Sequence, residues 1–175
     1  MFEEIAANPN HAAWRGIHPI VPTAFRADGS FDPDSQRRLV DWLLQVGVQG
    51  VAILGFLGEA HKLTEQERRE VIETVIDQAA GRLKVLVGVR ALGMAGAIAQ
   101  AKEARSLGAD AVFAAPLGVQ NDAVLFSYYR ELADQSGIPV LIHDFPENFR
   151  TILSPSLIIR LANEAPGIVG IKLEE

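Results

Sequence analysis

The sequence predicts an α/β protein built on parallel strands. Three observations carry that prediction. Short apolar, β-branched runs recur along the 175 residues, each followed by a stretch with apolar residues at three- to four-residue spacing. The runs are apolar at nearly every position, as strands covered on both faces require. The helical stretches open on capping residues and several close on glycine.

Taken in order, residues 1–15 read as a short lead segment, with Trp14 packing under the sheet or barrel, and 16–175 as one domain. Ile17–Val21 is the first expected strand. Asp32-Pro33 then supplies a helix N-cap and a first-turn proline ahead of Leu39, Val40, Leu43 and Val46. The second strand is Gly50–Leu54, followed by a capping box, Thr64 and Glu67, before Val71, Ile72, Val75 and Ile76. Val85–Val89 is the third strand, and a helix over about 95–107 stops at Gly108. After the fourth strand, Ala111–Ala115, a helix starts near Asn121-Asp122, carries Leu125, Tyr129 and Leu132, and stops at Gly137. Val140–His143 is the fifth strand; Ser154-Pro155 opens a helix with Leu157, Ile158 and Leu161; Ile168–Lys172 is the sixth. That makes six strands and five helices in βα order, compatible with an open doubly wound sheet or a (β/α)8 barrel. Length alone favours the open sheet, because barrels take about 250 residues.

Composition narrows the function. A formal charge of −6 and a pI near 5.2 argue against a nucleic-acid binder, which needs a basic face. Without cysteine there is neither disulfide, thiolate metal site nor cysteine nucleophile. No ligand cluster for a metal is visible, and the turn after the first strand, PTAFRADGSFD, is no glycine-rich phosphate loop, so no cofactor is expected. The first fourteen residues have acids where a signal peptide needs bases, and no apolar run reaches the roughly 18 residues of a membrane span, so a soluble cytoplasmic protein is expected.

Five motifs occur in an order that is specific when taken together. They are GIHPIVPTAF (16–25) with DGSFD (28–32), GFLGEA (55–60) after Gly50-Val51, LT (63–64) with the following helix start, HDFP (143–146) and GIK (170–172). In these the chain resembles the dihydrodipicolinate synthase / N-acetylneuraminate lyase family of class I, Schiff-base aldolases. The resemblance spans residues 16–175 and implies a (β/α)8 barrel of TIM type, incomplete here, in place of the open sheet. Only three residues follow Lys172, where a family barrel would continue with two more strands and three helices, so about three quarters of a barrel is expected.

The resemblance implies that Lys172 forms the imine with a small 2-oxo acid. An amine attacks a carbonyl only when neutral, and the apolar run Ile168-Val169-Gly170-Ile171 is a setting that would lower the lysine's pKa. His143 stands in the place of the family's catalytic tyrosine and, titrating near neutrality, would carry protons. The loop after the second strand, Gly55, Phe56, Leu57 and Gly58, takes the place of the family's G-T-T-G-E-S. Its backbone N–H groups would bind the substrate carboxylate in place of the missing threonines. Arg90 at a strand end would hold that carboxylate bidentately, or else pair with Glu59, and Thr23 would add a donor. The tyrosines the family carries near 115–118 are absent, and Asn148 sits where an arginine is expected, with Arg150 two residues on. These departures point away from dihydrodipicolinate synthesis itself, toward a divergent lyase or aldolase acting on a pyruvate-like 2-oxo acid. The alternatives are a non-catalytic binding relative and an inactive barrel fragment. The family also implies a homo-oligomer.

Overall fold

A computed structural model describes residues 14–116 and 118–174; the lead segment expected over 1–15 falls almost wholly outside them. Five strands alternate with helices: α1 (Pro33–Val46), β1 (Gly50–Ile53), α2 (Glu65–Ala79), β2 (Lys84–Val89), α3 (Met94–Leu107), β3 (Ala111–Ala114), α4 (Asp122–Ser136), β4 (Val140–Asp144), α5 (Pro146–Phe149), α6 (Pro155–Glu164) and β5 (Ile168–Leu173). Each pairing of known register is parallel: β1 with β2, β3 with β4 and β4 with β5. The α/β class and the five chief helices stand as the sequence predicts.

The first expected strand does not form. Ile17–Val21 is reduced to one parallel bridge, Ile20 to Ala52. Gly50 N to Ile17 O at 3.3 Å, and Ala52 N to Pro19 O and Val21 N to Ala52 O, both 2.9 Å, tie it to β1. The reason is in the residues: Pro19, on the side that faces β1, lacks the N–H that would donate to Gly50 O and continue the ladder. Two further elements were invisible to periodicity because they are too short to have any: the 3₁₀ turn Ala60–Lys62 and the four-residue α5.

The chain parts into two compact units. One comprises Gly16–Gly88 with Ser106–Asp110. Its core is the apolar face of α1 and α2 (Val40, Leu43, Val71, Ile72, Val75) and the strand residues Val51, Ile53, Val85 and Val87, all buried. The expected caps form here. Asp32 accepts from Asp34 and Ser35 amides, and Thr64 and Glu67 complete the capping box. Gly50 must be glycine, since a Cβ there would lie 2.7 Å from the Lys84 carbonyl of the paired strand.

The other unit comprises Val89–Arg105 and Ala111–Glu175. Here Leu125, Tyr129 and Leu132 of α4 and Leu161 of α6 are fully buried, as are Phe113 and Ile142 on the strands. Each such side chain contributes roughly 1.5–3 kcal/mol by leaving water. Asn121 caps α4, and Gly137 closes it in the left-handed region at φ 65°. Thr151 ties the segment after α5 to the loop after β3, donating to Pro116 O at 2.7 Å and accepting from Val119 N at 3.2 Å.

The β4–β5 ladder is irregular at one point. Val140 pairs with Ile168, but Leu141 pairs with Gly170, so Val169 is an extra residue. Beyond it, His143 lies opposite Lys172. Had the ladder run evenly from Val140 and Ile168, His143 would face Ile171.

Candidate active site

Both strands that carry the candidate groups form because they are apolar up to their last residues. β4 ends Leu141-Ile142-His143-Asp144 and β5 ends Gly170-Ile171-Lys172-Leu173. On one shared face each delivers a single polar side chain near its C-terminal end, and the register sets His143 and Lys172 side by side. Lys172 Nζ lies 3.2 Å from His143 Nε2. Glu174 continues the ladder, its N–H donating to Asp144 O at 2.8 Å. Two residues beyond Lys172, it projects to the same face. Its Oε1 lies 2.9 Å from His143 Nε2 and also pairs with the Lys172 ammonium. On the other side of the imidazole, Arg90 Nη2 stands 3.4 Å from Nδ1. Lys172, His143 and Arg90 are thus brought together, and Glu174 joins them.

An aromatic cage surrounds the cluster. His143 is 2% exposed. Phe113 and Phe149 meet its ring edge-on at centroid distances of 5.3 and 5.0 Å, and Phe145 stacks at 6.1 Å. The Arg90 guanidinium lies over Phe149 at 5.0 Å and Phe113 at 5.8 Å, while its backbone N–H donates to Gln100 Oε1 at 2.9 Å.

The electrostatics follow from this burial. Burial first, then the charges of Lys172 and Arg90, push His143 down to about 3, so the imidazole is neutral across the physiological range. The titration near neutrality that the sequence suggests is therefore removed by the surroundings of the ring. Burial, and secondarily Arg90, brings the Lys172 amine down to about 8. The Glu174 carboxylate favours the charged forms of both neighbours and opposes those effects. Nearby on α4, the buried Tyr128 hydroxyl has no hydrogen-bond partner among the described residues. Burial lifts its pKa to about 12, with Arg90 pulling the other way.

The remaining candidates form a second group, in the other unit. Thr23 Oγ1 donates to Gly58 O at 2.6 Å, so this hydroxyl holds the 55–58 loop. The loop is bracketed by two non-glycine residues in the left-handed region, Leu54 at φ 56° and Glu59 at φ 53°. Gly55 and Gly58 are buried, whereas Phe56 and Leu57 are 47% and 59% exposed. Phe56 stacks on His61 at 5.4 Å, and Glu59 pairs with Lys62.

Sequence reasoning missed Glu174 and the phenylalanine cage. A signal for Glu174 was present in the lysine–x–glutamate spacing on a strand, which puts both side chains on one face. Phe149 gives no such signal, since it is placed by a single helical turn.

Among the described residues, no helix is long and apolar enough to cross a membrane, and no three His, Cys, Asp or Glu side chains gather to hold a metal ion.

The profile of the Dihydrodipicolinate synthetase family matches residues 13–174. A 4-hydroxy-tetrahydrodipicolinate synthase of Stenotrophomonas maltophilia (strain R551-3) is 36% identical over 159 residues, covering 90% of this chain and 53% of the relative. An L-2-keto-3-deoxyarabonate dehydratase of Azospirillum brasilense is 32% identical over 174 residues, covering 97% and 55%. Among solved structures, YagE of Escherichia coli K12, a prophage protein of the dihydrodipicolinic acid synthase family in complex with pyruvate, superimposes with a TM-score of 0.82 at 32% identity, covering 89% of this chain and 53% of that one. The chain therefore spans about half the length of the curated relatives it matches.

Proposed function

The chain belongs to the dihydrodipicolinate synthetase family, and from that membership we propose that it serves a lyase or aldolase that binds a pyruvate-like 2-oxo acid as an imine on Lys172. The observation that carries this reading is a half-buried lysine whose Nζ lies 3.2 Å from a neutral imidazole and whose amine is brought down to about 8. Near neutrality a useful fraction of such an amine is uncharged and nucleophilic. The nitrogen attacks the carbonyl carbon of the 2-oxo acid, the oxygen takes up a proton, and loss of water leaves a protonated imine. That cation accepts the electron pair of the bond broken at the adjacent carbon, or releases it when the bond forms. Glu174, paired with the ammonium, is placed to receive the proton Lys172 gives up, and His143 is placed to hydrogen-bond the oxygen that leaves. The complex of a 32% identical relative with pyruvate supports the choice of oxo acid.

His143 in the tyrosine position, and Phe56 and Leu57 in the threonine positions, support a reaction other than dihydrodipicolinate synthesis. The test is reductive trapping. The chain is incubated with pyruvate and longer 2-oxo acids, reduced with borohydride, and read by intact mass and peptide map. A reduced adduct on Lys172 is expected, strongest with the preferred acid. The second reading, a binding relative without covalent chemistry, is favoured by the loss of both threonine hydroxyls. A cooperatively folded chain that gives no adduct would establish it in place of the first.

A further inference from the structure

We infer that Arg90 is a positioning residue that fixes the tautomer of His143, so that the neutral ring presents an Nε2–H toward Lys172 and Glu174. The use of that N–H in catalysis rests on the imine chemistry proposed above; the tautomer itself follows from the contacts. A neutral imidazole has one donor nitrogen and one acceptor nitrogen. A guanidinium only donates, and it stays charged at any pH a protein survives. With Arg90 Nη2 at 3.4 Å, Nδ1 accepts and carries no hydrogen. An ionised carboxylate only accepts, so at 2.9 Å from Glu174 Oε1, Nε2 donates. Two contacts on opposite sides of the ring require the same tautomer. The reverse tautomer would set N–H against guanidinium on one side and a bare nitrogen against carboxylate on the other. Lys172 Nζ, 3.2 Å from Nε2, directs one hydrogen to Glu174, and in its neutral form its lone pair accepts from Nε2–H, so it does not call for that reversal.

The cage explains why the arrangement persists. Phe149 and Phe113 flank the planar guanidinium and also meet the imidazole edge-on, so the same two rings fix both partners. This engagement gives Arg90 a task other than the substrate-carboxylate contact that the sequence suggests. It also accounts for histidine where the family places tyrosine. Held neutral, with its hydrogen on the nitrogen facing the lysine, imidazole becomes what a phenol is there, an uncharged donor beside the imine. Such a ring donates a hydrogen bond to the substrate oxygen and does not surrender its proton, because the product would be an imidazolate.

Nitrogen NMR of the ¹⁵N-labelled chain, with His143 assigned by its loss in His143→Gln, tests the inference without substrate. A pyrrole-type signal at Nε2 and a pyridine-type signal at Nδ1 are expected in the wild type. Arg90→Met is expected to mix the tautomers, and Arg90→Lys to restore part of the preference. A protonated Nδ1 in the wild type would overturn the tautomer, and an unchanged tautomer in folded Arg90→Met would overturn the role of Arg90 in fixing it. If Arg90→Met does not fold, the wild-type spectrum and Arg90→Lys decide. Trapping with pyruvate on the same samples separates the two possible tasks of Arg90. Positioning predicts a limiting trapping rate lower by about 10-fold or more with half-saturation unchanged, whereas carboxylate binding predicts a raised half-saturation and counts against the inference. Absence of any adduct in the wild type would remove the imine reading while leaving the tautomer measurement intact.

Discussion

Lys172 is charged only part of the time near neutrality. With the amine brought down to about 8, about one chain in ten carries it neutral at pH 7, against about one in three thousand for an ordinary lysine. The rate of borohydride-trapped adduct formation should accordingly rise with pH and level off with a midpoint near 8. A midpoint near that of a free lysine would refute the burial argument. The neighbours move it in opposite directions. Arg90→Met removes a positive charge and should raise the midpoint; Glu174→Gln removes a negative one and should lower it. The same local chemistry makes Tyr128 a useful control. Its buried hydroxyl has no partner among the described residues, so Tyr128→Phe should leave stability unchanged or raise it by up to about 1 kcal/mol. A clear loss in denaturant midpoint would mean that the hydroxyl is bonded.

At the scale of elements, what the sequence reveals is what caps and periodicity encode. The capping box at Thr64 and Glu67 and the proline-led starts at Pro33 and Pro155 are local chemistry, and α1, α2 and α6 begin there. Thr64→Ala should therefore cost about 1 kcal/mol in chemical denaturation, chiefly by releasing the Glu67 amide. The strand expected at Ile17–Val21 fails because apolar content speaks for a strand while Pro19 removes the donor its ladder needs. At the site, Lys172 and His143 were legible as polar residues closing apolar strands. Their meeting with Arg90, 53 residues from His143 along the chain, was not. Nor was the extra residue in β5, because pairing register depends on a partner strand that no local window contains.

For the whole molecule, the buried histidine links folding to acidity. His143 takes up a proton near 3 when folded and near 6.5 when unfolded, so between those values the unfolded chain binds more protons. Stability should fall as pH drops from about 6.5 toward 3, by an amount on the order of a few kcal/mol, and this contribution should change little below that. His143→Phe should flatten that limb of the stability curve in urea titrations at a series of pH values. A limb of unchanged slope would place the acid sensitivity elsewhere. Lys172 acts at the alkaline end with the same sign: its folded value near 8 lies below its unfolded 10.5, so its penalty is relieved between the two.

The extra residue at Val169 has an evolutionary consequence of its own. Which side chain meets His143 is decided by counting along β5, so this stretch is constrained in length more tightly than in spelling. Apolar exchanges at Ile168 or Val169 should be absorbed by repacking. One codon inserted between Gly170 and Ile171 would move Ile171 opposite His143 and turn the lysine to the far face. A library of substitutions would thus report the segment as permissive, while a library of single-residue insertions would find it closed. Lineages descending from this chain would be expected to drift in composition here and to keep the count.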